Sequence, residues 1–167
     1  MGLFPLPDIM LLENHKGDWE SYRIAIYQEF MEHVVRANHS FLGLPISYQR
    51  NPEYLGMHCS FWHLITEDLE KTHRDEDRTP DMRRCERVSW IGHILRHATD
   101  PQSGILCWEN KRGANAHVVL WIKEEDFVII LAKRKSYYLL KTIYQHNQWA
   151  KEKLEAEHQR YLDPRKD

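Results

Sequence analysis

Residues 126–144 read DFVIILAKRKSYYLLKTIY and put hydroxyls and cations on and beside two apolar runs. The runs, 127–132 and 137–144, are β-branched, aromatic and of strand length. Residues 133–136 between them, Lys-Arg-Lys-Ser, have hairpin length. Strict alternation along the second run places Tyr138, Leu140, Thr142 and Tyr144 on one face. Tyr137, Leu139, Lys141 and Ile143 fall on the other. Arg84 and Arg87 lie three apart upstream, and Arg134 sits in the basic turn. Guanidiniums hold phosphate through two parallel bonds and stay charged at any working pH. His63 stands beside Trp62 in an apolar segment, where an imidazole can move a proton. His117 is a second candidate of lower rank. Lys111, Arg112, Lys133, Lys135 and Lys141 are further cations suited to a phosphate backbone. This is the inventory for metal-free cleavage of RNA. The 2′-hydroxyl must be set in line, positive charge must meet the phosphorane, and an acid must protonate the leaving 5′-oxygen.

Other chemistries are poorly represented. The chain lacks a phosphate-cradling glycine loop, a dinucleotide fingerprint, HExxH and a nucleophile elbow. His93 and His97 sit four apart on one predicted helix and would need a third ligand to hold a metal. With 11 histidines such a pair arises easily. The three cysteines, Cys59, Cys85 and Cys107, are isolated and fit reduced thiols of a cytoplasmic protein.

The elements that must position these groups follow from pattern. The 167 residues are 42% hydrophobic and 29% charged, which predicts one globular domain over 1–167 with no membrane span. Two close prolines predict an irregular arm over 1–14. Asp18 is a helix N-cap, and Trp19, Tyr22, Ile26, Phe30 and Val34 form one stripe of a helix reaching about residue 35. Residues 44–48 suggest a short strand and 58–66 a longer one carrying His63. Thr79-Pro80-Asp81 opens a helix that reaches about His97. Strands over 104–110 and 116–122 precede the hairpin, giving four successive antiparallel strands. A helix over about 146–161, anchored by Trp149 and Leu154, ends the domain. The order predicts an α+β fold with helices packed on a four-stranded antiparallel sheet.

Net charge is -2, which argues against nucleic-acid binding by bulk charge. The charge is uneven, however. Between residues 67 and 81 seven acids face three bases, so the remainder carries a net +2. This acidic stretch joins the segment of His63 to the helix of Arg84. It is long enough to fold back over a site there, as an autoinhibitory or partner-docking element.

Five segments, FWHLITED, RTPDMRRCERVSWI, WENKRG, VIILAKRKSYYLLKTIYQ and KEKLEAEHQRYL, lie in order between residues 61 and 162 and carry a resemblance that covers about residues 18–162. Together they resemble a prophage-associated family grouped with the barnase–EndoU–colicin E5/D–RelE-like (BECR) fold. The resemblance implies an RNase-like α+β fold and metal-independent RNA cleavage without a cofactor, as a toxin or phage-derived effector. It implies RNA as substrate and an antitoxin or immunity protein as partner. Residue by residue it picks out His63, Arg84, Glu86, Arg87, Arg134, Tyr138 and Thr142. Lys141 departs from the pattern, in which an aromatic is commoner before this threonine. The rival expectation is a non-catalytic RNA- or protein-binding module that kept the fold.

Overall fold

The computed structural model describes residues 3–69, 71–72, 74–112, 115–145 and 148–163; the side chains of Arg112 and Trp149, the helix start at His146 and Pro164 lie outside that description. Asp18 caps α1, Trp19–Phe30, by accepting from the Ser21 backbone N–H. A π-turn over Met31–Val35 continues it. Tyr22, Ile26, Phe30 and Val34 are fully buried, as the stripe requires. Helix α4, Val88–His97, packs against this segment at Gly92. A methyl group there would overlap the His33 carbonyl oxygen, so only glycine permits the approach.

The arm is irregular but fixed. Leu3 is buried, and the Asp8 and Pro7 carbonyls accept from the Ser89 hydroxyl and the Trp90 indole at 2.8 and 2.7 Å. The predicted helix after Asp81 is present but broken in two. Asp81 caps α3, Met82–Glu86, and Arg87 leaves helical geometry (φ -105°, ψ 12°) before α4 begins.

Two sequence expectations are corrected. The segment holding His63 is a helix, α2, Cys59–Ile65. Phe61, Leu64 and Ile65 are buried at spacings of three and four, which is helical periodicity. Over so short an apolar run, alternation and helical spacing compete, and tertiary packing decides. The sheet is also larger than four antiparallel strands. Among the described residues it has six, in the order β1-β2-β8-β7-β6-β5. β1 is Ser40–Phe41, β2 Leu44–Ser47, β5 Leu106–Arg112, β6 Asn115–Ile122, β7 Phe127–Lys133 and β8 Tyr138–Gln145. The predicted meander β5 to β8 is present, but β2 joins β8 in parallel through Ile46 and Ser47. A separate ladder, β3 (Thr66–Glu67) with β4 (Thr79–Pro80), closes the base of the acidic stretch.

The sheet has two unequal faces. Phe127, Ile129 and Leu131 of β7 point into the main core, against α1 to α4. Val128 points the other way, with Trp108, Val119 and Trp121 under Leu154 of α5, Gln148–Leu162. The Glu157 carboxylate of α5 accepts from the Trp108 indole and the Asn110 amide. Among the described residues no helix is long and apolar enough to cross a membrane.

Candidate functional site

Strand β8 carries the hydroxyls and Lys141, and its geometry departs from simple alternation. Ile130 faces Thr142, but the next residue of β7, Leu131, faces Leu140. Lys141 is therefore an extra residue, a β-bulge. Before it, Tyr138 and Leu140 join the main core; after it, Ile143 does, and Tyr144 packs on the outer cluster. Thr142 pairs with Ile130, so it too lies on the outer face. The expectation that Tyr138 and Thr142 share a face is thus overturned by one inserted residue. Tyr138 is 4% exposed, with its ring edge-on to Phe41 at 5.1 Å.

On the outer face the Nζ of Lys141 lies 3.4 Å from Nε2 of His117. With lysine charged, that contact is a hydrogen bond only when the imidazole is neutral and accepts at Nε2. Thr142 follows directly, half-buried, on the same rigid sheet. Sequence reasoning ranked His117 below His63. Its register opposite Ala132, next to the basic turn, is a tertiary fact that no local pattern carries.

The register also gathers cations at one end of the sheet. In a meander the β5–β6 and β7–β8 connections lie at the same end. Asn110, His117 and Ala132 share one rung. One step further along, Lys111 and Lys133 fall two strands apart, about 10 Å. Arg112 ends β5, and Arg134 and Lys135 lie in the β7–β8 turn. Lys133 has a partner, Glu109, at 3.7 Å, but both are well exposed. The opposite end is acidic, with Glu124, Glu125 and Asp126 between β6 and β7.

The helical candidates are placed differently. Arg84 is spent internally. Its guanidinium donates to the Thr66 carbonyl at 3.0 Å and to Glu67 at 3.2 Å, and its Nε lies 3.5 Å from Asp81. Burial pushes the Arg84 pKa down and that of Glu67 up. Arg87 donates to the Arg83 carbonyl, lies 3.6 Å from Glu86 and stacks over Trp90 at 5.1 Å. Arg134 reaches back to the Lys133 carbonyl at 3.4 Å. The structure therefore brings together Lys111, Arg112, Lys133, Arg134 and Lys135 at the sheet end, and Lys141 with Thr142 beside it. His63 and Arg84 stand on helices packed against the inner face, Arg87 on the joint between α3 and α4, and Tyr138 is in the core.

His63 lines a cleft of about 490 Å³ bounded by α1, the loop at 52–55, α2 and the acidic stretch. Its Nε2 lies 3.1 Å from the Asp75 carboxylate and 3.8 Å from Sγ of Cys59. Both contacts use one nitrogen. A cysteine–histidine–carboxylate relay needs the carboxylate on the other nitrogen, as in the triad of serine proteases. Burial, helped by nearby Asp75, also raises the Cys59 thiol pKa, so this is not an activated thiolate. The other two thiols are pushed up by burial as well, Cys85 to about 12 and Cys107 to about 11.

His93 and His97 do not form a ligand pair. His93 Nε2 contacts the Leu3 carbonyl, and His97 Nδ1 lies 2.9 Å from the His93 carbonyl. Among the described residues there is no cluster of three or more groups able to hold a metal. No protein-family model, no curated protein and no solved structure matches the chain significantly.

Proposed function

We propose that the chain is a metal-independent endoribonuclease of the α+β type, working at the basic end and outer face of its sheet. The observation that supports this most is the register that sets two basic turns at one end, beside the Lys141–His117 contact. Cations on paired strands are held in place at little entropic cost, which favours a phosphate backbone. In this reading His117 takes the proton of the 2′-hydroxyl. Lys141 turns its ammonium onto the phosphorane and gives a proton to the leaving 5′-oxygen as the P–O5′ bond breaks, and Thr142 donates to a phosphate oxygen. The test is incubation of the pure protein with tRNA and mRNA in EDTA. Fragments ending in cyclic phosphate are expected, and they should vanish in His117→Ala but persist in His63→Ala. Intact RNA, or cleavage only with added metal, rejects the mechanism.

A second reading has its own support. Arg84 is neutralised by Glu67 and Asp81, and Tyr138 is buried, so two expected parts of the cleavage machinery are committed to structure. A non-catalytic RNA-binding module would keep the basic end and bind tRNA with strong salt dependence, yet leave it intact.

A further inference from the structure

The cleft beside α2 differs chemically from the basic end, and its polar groups point to another kind of ligand. Its walls are aromatic. Tyr54 is 62% exposed and meets Trp62 edge-on at 5.2 Å, and Trp19 lines the same space. The Trp62 indole donates to the Tyr54 carbonyl at 2.9 Å, which fixes this pair. Of the lining cations, Arg78 is consumed. It donates to the Thr66 hydroxyl and carbonyl at 2.8 and 2.7 Å and to the His63 carbonyl at 3.2 Å. Arg23 lies over the Trp62 ring at 5.7 Å.

The carboxylates are more available. Asp75 and Glu76 line the cleft with their side chains 62% and 69% exposed. Asp75 has His63 as its partner, and among the described residues Glu76 pairs with Arg74 alone, at 4.0 Å. They are also held in position. Arg78 ties the stretch to α2, and Asp77 accepts from Thr72 and Arg74 at 2.7 and 2.8 Å, closing the turn. Aromatic faces next to fixed carboxylates suit a flat cation, which stacks on a ring and donates in parallel to an acid. A polyanion would be repelled by the same acids.

We propose that this cleft is a docking site for a basic segment of a protein partner, with an arginine side chain inserted between Tyr54, Trp19 and the Asp75–Glu76 edge. The site is separate from the basic end and does not rest on RNA cleavage. The probe is a capped tetrapeptide with two arginines, titrated into the full chain while the indole N–H resonances of Trp19 and Trp62 are followed by NMR. The same peptide with citrulline, and a short RNA oligonucleotide, are the comparison arms. The arginine peptide should shift both indoles saturably, and Glu76→Gln should weaken it several-fold. Glu76 is exposed, so this variant leaves folding intact; Asp75→Asn, checked by its melting curve, should add to the loss. Equal binding of the citrulline peptide removes the charge argument and overturns the proposal. So does an absence of saturable shifts, or shifts produced by the oligonucleotide alone.

Discussion

The basic end of the sheet and the cleft beside α2 both hold cations and differ in what those cations have left to offer. At the sheet end, Lys111 and Lys135 are exposed and Lys133 shares one exposed carboxylate. Arg78 in the cleft and Arg84 in α3 beyond it are bound by carbonyls, hydroxyls and acids of the chain itself. A sequence shows a charge; only the fold shows whether it is already neutralised. The acidic stretch is the agent of that difference. Its first and last members, Glu67 and Asp81, close on Arg84, and Asp75 closes on His63.

Removing Arg84 should break this contrast most severely. Arg84→Met leaves Glu67 and Asp81 partly buried without their counter-charge. A loss of about 3 kcal/mol is expected in urea unfolding, with RNA affinity per folded molecule unchanged. Weaker RNA binding at full folding would return Arg84 to the phosphate site. A smaller effect is expected at the other region. Replacing Lys111, Lys133 and Lys135 with serine should lower tRNA affinity about tenfold at low salt. The slope of log affinity against log salt should shrink by about 0.7 for each lost single-strand phosphate contact. An unchanged slope would mean that the basic end does not touch RNA.

The smallest effect separates structural histidines from those of the two regions. Burial holds the pKa of His39, His58 and His158 below its ordinary value of 6.5. The unfolded chain then binds more protons than the folded one between the depressed values and about 6.5. Stability is therefore full above that window and declines as pH falls through it. His39 is 9% exposed, with its Nε2 2.9 Å from the His33 carbonyl. His39→Gln, which keeps a donor, should flatten the decline seen in melting temperature between pH 7 and 5 without altering RNA binding. If His117→Ala flattens it instead, the stability profile belongs to the sheet site.

Local signals carried much of the architecture. The Asp18 cap and its stripe locate α1, and four apolar runs locate β5 to β8 in their order. What sequence could not supply was mostly long-range. The parallel pairing of β2 joins segments about ninety residues apart, and nothing within either segment encodes it. The helix α2 was obscured because Phe61, His63 and Ile65 satisfy alternation as well as Phe61, Leu64 and Ile65 satisfy a helix. The cation cluster was legible residue by residue, whereas the quenching of Arg84 by Glu67 depends on how the β3–β4 ladder folds the chain back.

The bulge at Lys141 has one more consequence. Facing in a strand behaves like parity, and the inserted residue flips it for everything downstream. Tyr144 and Thr142 owe their outward position to that flip, not to their own side chains. A deletion of one residue in the preceding turn can be absorbed by the turn, but a ladder in which Lys141 took an ordinary rung would exchange Ile143 with Tyr144 across the sheet. A polar ring edge would then enter the oily interior and an isoleucine would reach the rim. Deleting Lys141 itself would leave both where they are, because Leu140, Thr142, Ile143 and Tyr144 then alternate without a break.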